Sequence, residues 1–225
     1  MSLNNGDILI HSFQPNDIPQ CLNITRGVYA KYCPEDGYVE KVFATDMADI
    51  EKNYLNIKGG HWWVARTMVD NTVVGQVGIQ PLSVGNQKCY QAELANPHYL
   101  HIHPDQICEL RRMAVIPAYQ KQRVGFKLLH TLIEFAQSND YKAIHLTTLG
   151  TMTSACKFYA RCGFTKGKVE QYVVAESKNG DTKVKYLKST VFEHSSSLTE
   201  DDVRLYSLPI SESKRLYVQH YWMLL

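Results

Sequence analysis

The chain has 225 residues, 44% hydrophobic and 20% charged, with 24 Lys plus Arg against 22 Asp plus Glu for a formal net charge of +2. That length suffices to bury a core without metal or disulfide staples, and the composition excludes a disordered, collagen-like or low-complexity protein. So small a charge excess gives no reason to expect a nucleic-acid or membrane-surface partner, and no basic stripe or aromatic-basic array is present.

In chain order, Ile8 and Ile10 alternate with Leu9 and His11 as a short strand, and Gln14-Pro15-Asn16-Asp17 then breaks it and opens a helix through about Tyr29. Residues 32–38, with Pro34 and Gly37, read as a loop. Thr45 or Asp46 is placed to cap a second helix in which Met47, Ile50 and Tyr54 recur at helical spacing, ending before Gly59-Gly60. Residues 61–65 and 72–79 flank Asp70-Asn71 and read as an antiparallel hairpin. Its Trp62 and Trp63, with Tyr38, fit either an apolar acceptor pocket or the core, which is the commoner place for hairpin aromatics.

Residues 82–106 are rich in Gly, Pro, Asn and His and read as an excursion from the sheet. Its His98, His101 and His103 match no zinc spacing, so a polar loop and no metal is the expectation. Residues 107–115 form the next strand, stopped by Pro117. The helix from Val124 carries Leu128, Leu129, Leu132, Ile133 and Ala136 on one face, up to Asn139-Asp140. A strand at 143–148, a helix at 154–161 stopped by Gly163, and strands at 166–174 and 184–192 close a mixed α/β domain spanning residues 1–192. Residues 193–225 then form a C-terminal tail whose Leu216, Tyr217, Trp222 and Leu225 suit packing back on the sheet, which is the expectation, or else joining a partner subunit in a homodimer or touching a membrane. Six scattered cysteines without a C-x-x-C pair, and an N-terminus without a basic segment leading an apolar run, fit a reduced, cytoplasmic chain. Apolar stretches of about ten residues fall short of the roughly 20 that cross a bilayer, so no membrane span is expected.

The informative unit is the strand, tight loop and helix of residues 109–137, because a loop opening a helix presents backbone N–H groups and a positive dipole end to an anion. The string Glu109-Leu110-Arg111-Arg112-Met113-Ala114-Val115, Gln120-Lys121-Gln122-Arg123-Val124-Gly125, and then Tyr159 before Gly163-Phe164, resembles the GCN5-related N-acetyltransferase (GNAT) superfamily. That superfamily writes its acetyl-CoA loop R/Q-x-x-G-x-G/A. Thr45-Asp46-Met47, Val73-Val74-Gly75 and Glu134-Phe135-Ala136 extend the likeness to the camello group of cysteine-conjugate and aspartate N-acetyltransferases. The apolar hairpin usual in that group is replaced here by the polar residues 32–41.

The resemblance implies a central mixed sheet flanked by helices, acetyl-CoA as cosubstrate and an amine as acceptor. It implies that Glu109 is the general base and that Tyr159 serves the departing sulfur. It further implies that the Met113 amide polarises the acetyl carbonyl, that Ala114 and Val115 pair with the pantetheine arm, and that residues Gln120, Lys121, Gln122, Arg123, Val124, Gly125 and Phe126 hold the diphosphate. Arg123 stands where the first glycine is usual, at a cost of about 1 kcal/mol if its φ is positive, and its guanidinium is suited to a phosphate.

Arg111 and Arg112 are consecutive, so on a regular strand they face opposite ways, and one is available to a carboxylate-bearing acceptor. The alternative is that each pairs with a neighbouring acid. The leading expectation is therefore an acetyl-CoA-dependent transferase acting on a small amine such as an amino acid or its conjugate. A protein lysine acetyltransferase and a non-catalytic CoA-binding module are the alternatives.

Overall fold

The computed structural model describes residues 8–32, 38–85, 101–175 and 185–225. They divide into two compact units. The first comprises residues 1–28, 40–144 and 224–225, and the second residues 29–39 and 145–223.

In the first unit β1 (Ile8–Ser12), β2 (His61–Thr67), β3 (Val73–Pro81) and β4 (Ile107–Val115) follow one another antiparallel. The β2–β3 hairpin turns at Asn71, whose φ of 57° is the left-handed geometry that asparagine tolerates. β3 is buried on both faces almost throughout, which requires cover on each side. α1 (Ile18–Tyr32) continues three residues past the expected end. Its start is held by Asp17, which accepts from the Gln14 amide (2.9 Å) and forms an ion pair with Arg66.

α2 (Tyr38–Phe43) is a short helix within the stretch expected to be polar loop, and residues 33–37 lie outside the described residues. The helix expected from residue 45 is instead a run of turns leading to a π-helical turn at Glu51–Leu55. Asp46 does not cap it; Asp49 accepts the Lys52 amide at 2.8 Å. The apolar reading of this stretch nonetheless matches the structure, since Met47, Ile50 and Tyr54 are buried.

α3 (Leu82–Gly85) starts the excursion, and residues 86–100, with His98, lie outside the described residues. α4 (Val124–Ser138) begins at the expected residue and buries Val124, Leu128, Leu129, Leu132 and Ala136 along one stripe. Each large aliphatic side chain so buried contributes about 1.5–3 kcal/mol.

The second unit holds the strand order β5 (Ala143–Leu149), β8 (Arg215–Leu224), β6 (Thr165–Ala175), β7 (Lys185–Phe192), with Ala143 and Ile144 counted in the first unit. α5 (Thr153–Arg161) ends where Gly163 takes a φ of 90°. Beyond residue 192 come α6 (Glu200–Tyr206), α7 (Ile210–Ser213) and then β8, which pairs antiparallel with β6. Leu216, Tyr217, Tyr221 and Trp222 of β8 are buried.

Candidate active site

Glu109 and Arg111 lie two residues apart on β4 and so share a face. Arg111 Nη1 donates to Glu109 Oε2 at 2.9 Å, and Glu109 is 5% exposed. The β3–β4 register then slips. Gly78 faces Arg111 and Gln76 faces Ala114, so β4 carries one residue more than β3 across this step. The extra residue is absorbed at Arg112, whose φ is 53°.

The bulge corrects the expectation that Arg111 and Arg112 face opposite ways. A left-handed residue turns its side chain back, and both guanidinium groups converge on Asp46. Arg112 Nε lies 3.0 Å from Asp46 Oδ2, its Nη2 bonds Oδ1, and Arg111 Nη2 is 3.4 Å from Oδ2. Tyr54 Oη donates to the same carboxylate. Gly78 admits this arrangement, because a Cβ there would stand 2.7 Å from the Trp62 ring and 2.8 Å from that of Tyr54. The two rings meet edge to face at 4.8 Å, so Trp62, like Trp63, belongs to the core. The side chain of Tyr38 lies outside the description.

Burial would raise the Asp46 pKa, but the hydrogen bonds and charge of Arg112, with the charge of Arg111 and the Tyr54 hydroxyl, hold it well below the ordinary carboxylate range. The Tyr54 phenol is pushed up by burial and by the Asp46 charge, so it remains a donor. Arg111 loses some preference for its charge through burial and regains more from Glu109, Tyr54 and Asp46, for a net rise.

Beyond the bulge, Met113, Ala114 and Val115 complete β4, and a 3-10 turn at Pro117–Tyr119 leads to a bend with positive φ at Lys121 (62°) and Arg123 (61°). The strain anticipated at Arg123 is therefore present. Gln120 and Gln122 spend their side chains bracing this bend, donating to the carbonyls of Val115 (2.9 Å) and Ala118 (2.8 Å). Among the described residues the amides from Lys121 to Phe126 have no protein acceptor, whereas Lys127 returns to the Arg123 carbonyl at 2.9 Å. A row of open amides at the start of a 15-residue helix, beside the exposed Lys121 and Arg123, suits a phosphate-bearing ligand. The donor set therefore fits the diphosphate of a coenzyme A.

In the second unit Tyr159 is 6% exposed, packed by the rings of Phe158, Phe164 and Tyr221 at 5.4–5.8 Å. Burial raises its pKa, with Cys156, Cys162 and Tyr29 adding to the effect, so the phenol keeps its proton at neutral pH. Cys108, beside Glu109, is fully buried and points its thiol at the Ala143 carbonyl (3.6 Å), and burial raises its pKa. Cys156 points at the Leu149 carbonyl (3.7 Å), its pKa raised likewise. Both are packing residues.

The acetyltransferase (GNAT) family profile matches residues 26–164, more than half of the chain. The chain belongs to the GNAT acetyltransferase family. It is 31% identical over 147 residues to a probable N-acetyltransferase camello of Xenopus tropicalis, covering 65% of this chain and 58% of that protein. It is 32% identical over 138 residues to the N-acetylaspartate synthetase of Xenopus tropicalis, covering 61% and 43%. The chain thus spans about half the length of the curated relatives it matches. A GNAT-family acetyltransferase from Staphylococcus aureus Mu50 shares the fold with a TM-score of 0.58 at 20% identity, over 96% of this chain and 98% of that one.

The GNAT fold and the kinship with the camello group match the sequence reading. What that reading missed in this GNAT chain is the part played by Asp46 and Tyr54. Asp46 stood in the Thr-Asp-Met segment as a helix cap and Tyr54 as a core residue, and no local spacing ties Asp46 to an arginine 66 positions on.

Proposed function

We propose that this GNAT protein transfers the acetyl group of acetyl-CoA to the amine of a small, carboxylate-bearing acceptor by direct attack in a ternary complex. The single observation that carries the reading is the strand–bend–helix unit itself: a carboxylate at Glu109, then a bulge, then a bend whose amides from 121 to 126 have no acceptor among the described residues.

Glu109 takes the proton of the acceptor ammonium, and the freed nitrogen lone pair attacks the thioester carbonyl carbon. The oxyanion that develops is stabilised by the Met113 amide, and collapse breaks the C–S bond. Tyr159, held in its protonated form, supplies the proton to the departing thiolate. The Arg111 and Arg112 pair orients the acceptor through its carboxylate. Their charges are already balanced by Asp46 and Glu109, so a zwitterionic amino acid enters without leaving an uncompensated charge. Acceptors named for relatives, aspartate among them, are therefore the first to try.

Thiol release from acetyl-CoA is measured with a panel of free amino acids, their carboxyl-blocked amides, and lysine peptides. Turnover is expected with free amino acids, falling roughly 100-fold or more in Glu109→Gln and less steeply in Tyr159→Phe. Blocked amides reacting as fast as free acids would overturn the arginine assignment. Coenzyme binding seen by calorimetry without turnover of any amine would favour a non-catalytic CoA-binding module.

A further inference from the structure

Gln80, next to the end of β3, is 3% exposed, and among the described residues its side-chain amide makes no hydrogen bond. Burying an amide without a partner is costly, and buried polar groups are ordinarily satisfied within the fold. An apolar side chain of the same length would pack there at no such cost, so the amide is kept for a group that the protein itself does not supply. Its place says which group. Gln80 stands directly across the β3–β4 register from Glu109, and residues so paired project to one face with Cβ atoms about 4.5–5.5 Å apart. Cys108, the preceding residue of β4, points instead at the Ala143 carbonyl.

We propose that Gln80 is an acceptor-binding residue whose side-chain carbonyl oxygen holds one N–H of the amine that Glu109 deprotonates. The inference rests on the acetyltransferase reading and names a further residue of that same site. An acceptor ammonium carries three N–H groups. Glu109 takes one proton, and two N–H groups remain on the neutral amine. A neutral carbonyl oxygen accepts one of them throughout without competing for the proton, as a second carboxylate would. It thereby keeps the nitrogen in place while the lone pair turns to the thioester carbon, the C–N bond forms and the C–S bond breaks.

Gln80→Met keeps the length of the side chain and removes the amide. Thiol release from acetyl-CoA is measured in the full chain and this variant, with two amino-acid acceptors that differ in side chain, and both proteins are unfolded in urea. A fall in kcat/KM of roughly 10–100-fold is expected, equal for the two acceptors, with KM for acetyl-CoA unchanged. The urea midpoint should rise by roughly 0.5 M, because an unpartnered amide gives way to a thioether that packs. A purely structural role would not give that combination of lost turnover and gained stability. Acceptor kinetics within twofold of wild type would overturn the inference, as would a lowered midpoint, which would make Gln80 part of the packing. A loss confined to one acceptor would also overturn it, by placing the amide on the acceptor's side chain. A wild-type chain that acetylates no amine would instead bring down the acetyltransferase reading, a result distinct from an active wild type matched by its variant.

Discussion

Arg123 occupies a backbone conformation that glycine adopts freely, with a φ of 61°. Replacing it by glycine should relieve about 1 kcal/mol of strain while deleting a cation beside the open amides. Arg123→Gly is therefore expected to raise the melting temperature and, if the guanidinium meets a phosphate, to raise KM for acetyl-CoA. Thermal melting and initial-rate kinetics read the two effects separately. Tyr54→Phe removes one hydrogen bond to a buried carboxylate and should destabilise the chain by about 1.5–3 kcal/mol in urea unfolding.

At the scale of elements, the bulge on β4 does what a regular strand cannot: it delivers two consecutive arginines to one acid. It depends on Gly78, across the register from Arg111. Gly78→Ala would drive a methyl group into the Trp62 and Tyr54 rings and is expected to cost about 1–3 kcal/mol, measured by denaturant midpoint. The same bulge shows where sequence reading stops. The ends of β4 and the start of α4 were legible, because Pro117 and the spacing of Leu128, Leu129, Leu132 and Ala136 are local signals. The facing of Arg112 was not, since period-two alternation holds only while the register does. The role of Asp46 was hidden for a related reason: a Thr-Asp dipeptide before apolar residues looks like a helix start, and the partner that claims the side chain instead is remote in sequence.

For the molecule as a whole, carboxylates with depressed pKa values, Asp46 and Glu170 among them, shape the response to acid. In Asp46 and in Glu170 burial acts to raise the value and is outweighed, in Glu170 by hydrogen bonds from His220, Lys188 and Tyr172. A carboxylate whose folded pKa lies below its unfolded value stabilises the fold fully above the unfolded value, about 4, and loses that contribution as pH falls toward the folded one. Melting temperature should therefore be flat with respect to these groups from pH 7 to about 5 and drop steeply below 4. Asp46→Asn should flatten part of that drop in a series of melts at fixed ionic strength. Residues 193–225 were harder to read than either site, because β8 is buried on both faces over much of its length and shows no alternation to mark it as a strand.

The placement of β8 bears on biogenesis. As the chain leaves the ribosome, β6 and β7 emerge together and can pair at once, but the other side of β6 has no neighbour until residues 215–224 follow. During that interval a row of backbone donors and acceptors stands open to any passing strand, the circumstance in which nascent chains clump. A ribosome halted before residue 215 would hence release a product prone to aggregate, and chaperone dependence should track synthesis of those final residues.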